Sequence, residues 1–293
     1  MSWSLVDRSV LITGGNAGIG RATAIELARR GADVLITARD PEKGAEAQRA
    51  IAEASGRSVE LVMLDLSRFD SIREAAEDVL ARRPTLGVLI NNAGVVLGRR
   101  QLTAEGFEMT FGVNHVGPYL LTDLLAERLR DTAKRHGEAR IINVASDAHF
   151  RAKSGLTWDD LDRERRYVGF EVYCETKLAN VLYTRALAEQ LDGTGVSVNA
   201  LHPGVVATRF SKDGDFPGPV SVFFTLARPL LKSPEKGAAT SVHLAAAPEL
   251  SGVSGRYYSN LQPREPSRWA KDPAAAERLW KLTGERIVAA LKR

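Results

Sequence analysis

Residues 9–20 read SVLITGGNAGIG, and RATAIELARRG (21–31) follows directly. A short apolar run rich in Val, Ile and Leu gives way to a glycine-rich turn and then to a helical pattern. Gly14, Gly18 and Gly20 are spaced G-x-x-x-G-x-G. Glycines at such a turn allow tight backbone geometry and close approach to a pyrophosphate, which the N-terminus of the following helix stabilises. A glycine turn alone is usually only a turn. The strand–turn–helix context at the start of the chain makes dinucleotide binding the stronger reading.

Outward from this unit the same alternation continues. DVLITA (33–38), VELVML (59–64), LGVLIN (86–91), ARIINVAS (139–146) and VSVNALH (196–202) read as strands buried on both faces. Helical patterns separate them. RATAIELARRG has Gly31 at its C-terminal end, and PEKGAEAQRAIAEASG carries Pro41 in its first turn. SRFDSIREAAEDVLARR is expected to begin at Ser67 or Asp70 as N-cap. The spacing predicts an α/β fold: a doubly wound, Rossmann-type parallel sheet flanked by helices, in a single domain over residues 1–293.

The chain's 44% hydrophobic and 26% charged residues fit a globular fold and exclude a disordered one. Its net charge of +4 comes from 40 basic and 36 acidic residues scattered along the chain, which gives no footprint for nucleic acid. A single cysteine, Cys174, excludes an internal disulfide framework. The five histidines lack metal-ligand spacing, so no metal is expected. The N-terminus is too short and polar for a signal peptide and no run is long enough to span a bilayer, so a cytoplasmic protein is the expectation.

The end of the second strand discriminates between dinucleotides. A carboxylate there suits the ribose 2′-hydroxyl of NAD(H), but this strand ends in Ala38 followed by Arg39. A guanidinium can pair bidentately with a 2′-phosphate, so NADP(H) is expected in preference to NAD(H). Asp40 is better read as a cap for the helix starting at Pro41, and Lys43 as a solvated helix residue.

The stretch 203–234 departs from the alternation. Prolines and glycines interrupt the apolar run SVFFTLARPLL. Emerging at the carboxyl end of a strand, residues 205–234 are placed to cover a site and line an apolar pocket. A surface helix packed on the core is the competing reading, and peripheral contact with a membrane a third. The C-terminal KDPAAAERLWKLTGERIVAALKR, with Trp280, reads as an amphipathic helix for packing or subunit contact.

YCETK (173–177) sets Tyr173 and Lys177 four residues apart, on one helix face. Alone the pair means little. In order along the chain, however, stand TGGNAGIG, DLS (65–67), NNAG (91–94), Asn114 in FGVNHVGPYLLT, Ser146 in IINVASDAH, YCETK and HPGVVAT (202–208). From about residue 8 to about residue 260 the chain resembles the short-chain dehydrogenase/reductase family. Within it, ITARDPEKG, VNHVGPYLLT, YCETKLANVLYTRALA, HPGVV and GRYYSN look like the retinol dehydrogenase branch. The N-terminal membrane anchor common among the animal retinol enzymes is not found in this sequence.

The resemblance implies an NADP-dependent oxidoreductase that interconverts a lipophilic alcohol and its aldehyde or ketone. Gly14, Asn16, Gly18, Ile19 and Gly20 would cradle the pyrophosphate, with Arg39 at the 2′-phosphate. Asp65 would bond the adenine amino group, with Leu66 beside it. Asn91 would support the sheet, and Asn92, Ala93 and Gly94 would line the cofactor floor. Pro203, Gly204, Val206 and Thr208 would flank the nicotinamide, Thr208 at its carboxamide. Asn114, Ser146, Tyr173 and Lys177 would form the catalytic set. In it, Asn114 helps hold a water, Ser146 bonds the substrate oxygen, Tyr173 exchanges the proton and Lys177 binds the nicotinamide ribose. A homodimer through long helices is also implied. Ala145 departs from the family, many of whose members carry a second serine there. The Ser146–Tyr173 separation exceeds that of its most compact members.

This set suits carbonyl chemistry. A nicotinamide supplies hydride, leaving the protein to position the parts and supply a proton. A free tyrosine titrates near 10. A neighbouring Lys177 ammonium and an oxidised nicotinamide are both expected to favour its phenolate. Two other classes fit the sequence less well. An isomerase or lyase of the related extended family usually has a different glycine spacing and a larger C-terminal domain. A non-catalytic NADP-binding scaffold would be expected to have lost part of the set.

Overall fold

In the computed structural model, which describes residues 3–204 and 232–292, the expected alternation is present. The described strands are β1 (Ser9–Ile12), β2 (Asp33–Ala38), β3 (Glu60–Met63), β4 (Val88–Asn91), β5 (Ala139–Val144), β6 (Val196–His202), β7 (Tyr257–Ser259) and β8 (Gln262–Pro263). They form one sheet in the order β3-β2-β1-β4-β5-β6-β7-β8. Neighbours are parallel from β3 to β7, and β8 runs antiparallel to β7.

The long helices are α1 (Gly18–Arg29), α2 (Pro41–Ser55), α3 (Phe69–Arg82), α4 (Gly117–His136), α5 (Gly169–Gln190), α6 (Pro234–Ala246) and α7 (Pro273–Leu291). Strand side chains alternate between the faces they cover. Leu11, Leu35, Leu89 and Ile141 join one core with residues of α3, α4, α5 and α7. Val10, Ile12, Val34, Ile36 and Ile90 join the other, with α1, α2 and α6. Every residue of β1, β4, β5 and β6 is buried, which is why those strands read as unbroken apolar runs. Edge strand β3 instead leaves Met63 exposed.

Local chemistry sets both ends of helix α2. Asp40 caps α2, accepting from Glu42 N (3.0 Å) and Lys43 N (3.1 Å), and left-handed Gly56 closes it. Helix α3 corrects an expectation. Ser67 donates to Asp65 Oδ1 instead of capping, and the carboxylate of Glu105 accepts from Phe69 N at 2.7 Å. A residue thirty-six positions away does the work that Ser67 or Asp70 was expected to do. The pair β7 and β8 was not anticipated either, because three and two residues carry too little pattern to read. Strand order reverses between β1 and β4, and ligands of doubly wound sheets bind outside the carboxyl ends at such a point.

Candidate active site

At the end of β1 the chain turns with Gly14 at φ +64° and Gly18 at φ +52°, a region costly for residues bearing a Cβ. A Cβ at Gly20 would lie 2.4 Å from Gly14 O and 2.5 Å from Asn92 Nδ2, so only glycine lets α1 seat against this turn. Gly15 is as tightly held, since a Cβ there would strike Ile36 at 2.6 Å. Asn16 lies on the turn, and Ile19 O accepts from Thr23 Oγ1 at 2.8 Å. No side chain caps α1 at Ala17 and its first turn holds no acidic residue. Its N–H groups are thereby left for an anion, which suits the pyrophosphate of a dinucleotide.

Thr13 ties this turn to the end of β4, its hydroxyl accepting from Asn92 N (2.9 Å) and Ala93 N (3.0 Å). Asn92 Nδ2 returns a bond to Thr13 O at 2.8 Å. Thr37 on β2 accepts from Gly14 N at 3.1 Å. Neither threonine was singled out from sequence, because a strand-end threonine carries no signal of its own. Asn91 Nδ2 donates to Thr122 on α4 (3.1 Å) and to Asn143 on β5 (2.9 Å). Asp65 Oδ1 accepts from both the N–H and the hydroxyl of Ser67, and Leu66 is buried with its carbonyl against Gly117. Arg39 is exposed just past β2 and forms no ion pair among the described residues. Asp40, its neighbour, is engaged as the α2 cap.

The four candidate catalytic residues arrive from three elements. Asn114 lies in a π-helical turn (Gly112–Val116) leading into α4. Its Oδ1 accepts from Val95 N at 2.7 Å, and its Nδ2 donates to Val95 O (2.9 Å) and Thr176 Oγ1 (3.0 Å). The amide therefore braces the β4 loop against α5. With its amide turned to donate, Asn180 reaches the Asn114 backbone carbonyl at 2.8 Å.

Ser146 follows β5 in extended conformation and caps a 3-10 turn, its Oγ accepting from Ala148 N at 3.1 Å. Tyr173, on α5, is hydrogen-bonded to the Ser146 side chain. Lys177 lies one turn further along, buried, its Nζ 5.6 Å from the Tyr173 ring centre and donating to Val144 O at 3.0 Å. A Cβ at Gly94 would come within 3.4 Å of that ammonium and 3.2 Å of Asn114 Oδ1. Burial shifts both titrating groups. Tyr173 is pushed up to about 12, with the Ser146 bond opposing, and Lys177 down to about 8. The direction for Tyr173 is opposite to that expected from a neighbouring ammonium, because burial penalises the phenolate more than the Ser146 hydrogen bond favours it.

Pro203 and Gly204, the latter at φ +93°, turn the chain after β6 at the same end of the sheet. Val206, Thr208 and the rest of residues 205–231, expected from the sequence to belong to a covering segment, lie outside the described residues. Cys174 is buried in the core beside Tyr173, a packing residue as its helix face predicted. Exposed Phe170, a turn before Tyr173, lies at 26° to that ring with centres 6.5 Å apart. Among the described residues no helix is long and apolar enough to cross a membrane.

A glycine-cradled helix N-terminus at a strand-order reversal, beside a Ser–Tyr–Lys cluster, defines a nucleotide-dependent oxidoreductase. The family model for short chain dehydrogenase matches residues 8–158 and 162–215. Retinol dehydrogenase 12 of Mus musculus is 44% identical over 277 residues, covering 94% of this chain and 85% of its own length. Retinol dehydrogenase 13 of Homo sapiens is 42% identical over 282 residues, covering 94% and 83%. Among solved structures, an uncharacterised protein from Mycobacterium paratuberculosis superposes with a TM-score of 0.76 at 32% identity, covering 98% of this chain and 97% of its own. The Pseudomonas aeruginosa RhlG/NADP active-site complex gives 0.70 at 25% identity, covering 93% and 98%. This chain belongs to the short-chain dehydrogenase/reductase family, in its retinol dehydrogenase-like branch. It is an NAD(P)-dependent oxidoreductase acting on CH–OH or C=O groups.

Proposed function

We propose that this protein interconverts a lipophilic alcohol and its aldehyde or ketone with NADP(H) in preference to NAD(H), and that Tyr173 is its general acid–base. The observation that carries the reading is the convergence of Ser146, Tyr173 and Lys177 at the carboxyl end of β5. NADPH, when bound, would supply hydride to the carbonyl carbon. Residues 14–20 would hold its pyrophosphate, Asp65 and Leu66 its adenine side, Asn92 to Gly94 its floor and Lys177 its ribose. Pro203, Gly204, Val206 and Thr208 would flank the nicotinamide.

Each residue then has a physical task. The Ser146 hydroxyl bonds the substrate oxygen as charge grows on it. Tyr173 gives that oxygen its proton, or takes it back in the oxidising direction. Burial keeps the phenol protonated, the form needed to donate to an incipient alkoxide. With Lys177 lowered only to about 8, its ammonium persists at neutral pH and favours the phenolate left behind. Asn114 braces the β4 loop against α5 through its side-chain amide, and we assign to it the holding of a water that links the site to solvent.

Three further features support the finer assignments. No carboxylate stands at the β2 end where Arg39 is free of ion pairs among the described residues, which favours a 2′-phosphate. The names of the relatives, and the exposed ring of Phe170 beside Tyr173, support a lipophilic substrate. We read residues 205–234 as its cover. A cytoplasmic location accords with a single cysteine, buried and unpaired. A homodimer through the long helices would have to accommodate α7, whose Trp280 lies against Tyr119 (4.8 Å) and Tyr183 (5.9 Å).

The test is NADPH and NADH oxidation against retinal, medium-chain aldehydes, steroids and quinones. Turnover of at least one apolar carbonyl with NADPH is expected. Tyr173→Phe should lower kcat about 10²- to 10⁴-fold and leave NADPH affinity nearly unchanged. Retained turnover would remove Tyr173 from the acid–base role.

A further inference from the structure

The loop that carries Ser146 is tied to the C-terminal part of the chain more firmly than chain connectivity requires. Asp147, next to the serine, is the hub. Its Oδ1 accepts from Tyr257 Oη at 2.8 Å, and both carboxylate oxygens accept from Arg264 Nη1, at 2.9 and 2.8 Å. Its own N–H donates to Nδ1 of His202 at 3.2 Å, whose Nε2 lies 3.6 Å from Oδ2. Tyr257 sits in β7 and Arg264 just past β8, 110 and 117 residues away in sequence.

The neighbouring residues repeat the pattern. His149 Nδ1 bonds the Ser146 carbonyl at 2.7 Å while its Nε2 accepts from Ser267 N at 3.0 Å. Those partners assign one tautomer, with the proton on Nδ1. The Tyr257 ring meets His149 edge-on at 4.8 Å. Burial and Asp147 together push the Tyr257 phenol far up, so it remains a donor. Burial alone would raise the Asp147 carboxyl. The Tyr257 bond, His202 and Arg264 reverse this and hold it below the usual range, so it remains an acceptor.

We propose that Asp147 is a positioning residue for Ser146, transmitting the rigidity of the β7–β8 segment to the hydroxyl that meets the substrate oxygen. On this reading it acts through Ser146 and not on the substrate oxygen. Its carboxylate fixes the backbone one residue from Ser146, and His149 fixes the Ser146 carbonyl, so the direction of Oγ is set from the far end of the chain. The inference rests on the catalytic reading of Ser146 given above.

The experiment is a double-mutant cycle with steady-state kinetics on whichever carbonyl the wild type turns over. Asp147→Ala should lower kcat about 10- to 100-fold, the scale of a misplaced catalytic group, with KM for NADPH within about twofold. In a Ser146→Ala background the same change should cost almost nothing further, an outcome that general loosening of the fold would not produce. Tyr257→Phe keeps the ring on His149 and removes only the bond to Asp147. It should reproduce part of the loss, and it carries the same test should Asp147→Ala fail to fold. Wild-type kcat in Asp147→Ala, or losses that multiply with Ser146→Ala, would overturn the proposal. Wild-type kcat in Ser146→Ala would instead remove the serine assignment, and this inference with it.

Discussion

Two buried cations sit at opposite ends of β5. At the amino end Arg140 is fully paired, with Nε on Glu138 Oε1 at 2.9 Å and Nη1 on the carbonyls of Leu244 (2.9 Å) and Ala247 (2.8 Å). The Trp3 ring lies under it at 3.9 Å, with the Arg8 guanidinium also over that ring at 4.1 Å. At the carboxyl end Lys177 donates to Val144 O, and among the described residues no carboxylate pairs with it. Burial depresses both cations, but Glu138 opposes the effect at Arg140, whereas at Lys177 burial carries the pKa down to about 8. A buried charge supplied with its counter-ion serves the fold. One left short of partners is costly to folding and available to a ligand.

Replacing each cation in turn should separate the two roles. Lys177→Met should lower kcat by about 10² or more, in line with its place beside the general acid. It should hold or raise thermal stability at pH 7, because it removes a desolvated ammonium whose lowered pKa corresponds to a cost on the order of 3 kcal/mol. The sign extends to pH. The folded Lys177 releases its proton near 8 and the unfolded one near 10.5, so between those values the unfolded chain holds more protons. Stability from this group therefore rises with pH across that window, and denaturant midpoints of Lys177→Met should lack the rise. An unchanged kcat would break the contrast.

Arg140→Met should behave the other way. Stripping the partner from Glu138 and releasing two buried carbonyls should cost about 3–5 kcal/mol in chemical denaturation. Activity per folded molecule should stay near wild type. A selective loss of kcat without loss of stability would show that the amino end of β5 is not merely structural.

The smallest effect concerns the rim of the site. Arg39→Ala should weaken NADPH about tenfold, the scale of one exposed charge-assisted contact, and leave NADH nearly untouched. Titration of both cofactors checks this, and equal weakening would sink the 2′-phosphate assignment.

Legibility followed the range of the interactions. Strands β1, β4, β5 and β6 are readable because each is a short apolar run buried on both faces, and β2 and β3 because they repeat the apolar run between helical patterns. The Asp40 cap was readable because its partners are two and three residues away. The cap on α3 was misread because Glu105 supplies it from a distant loop. Thr13 and Thr37 carry no sequence signal for the same reason. Their partners lie across neighbouring strands, and threonine in a strand is ordinary.

By itself the sequence determined the doubly wound alternation, the glycine turn and the Tyr173–Lys177 helix face, since periodicity, backbone freedom and i to i+4 spacing are local properties. Only the tertiary structure decided how those residues titrate and what holds them. Burial raising Tyr173, Lys177 left without a carboxylate beside it among the described residues, and Asp147 joined to Tyr257 and Arg264 all depend on packing between segments more than a hundred residues apart or on the dielectric that packing creates. Hydration and long-range contact have no period along a chain, and so leave no pattern in it to read.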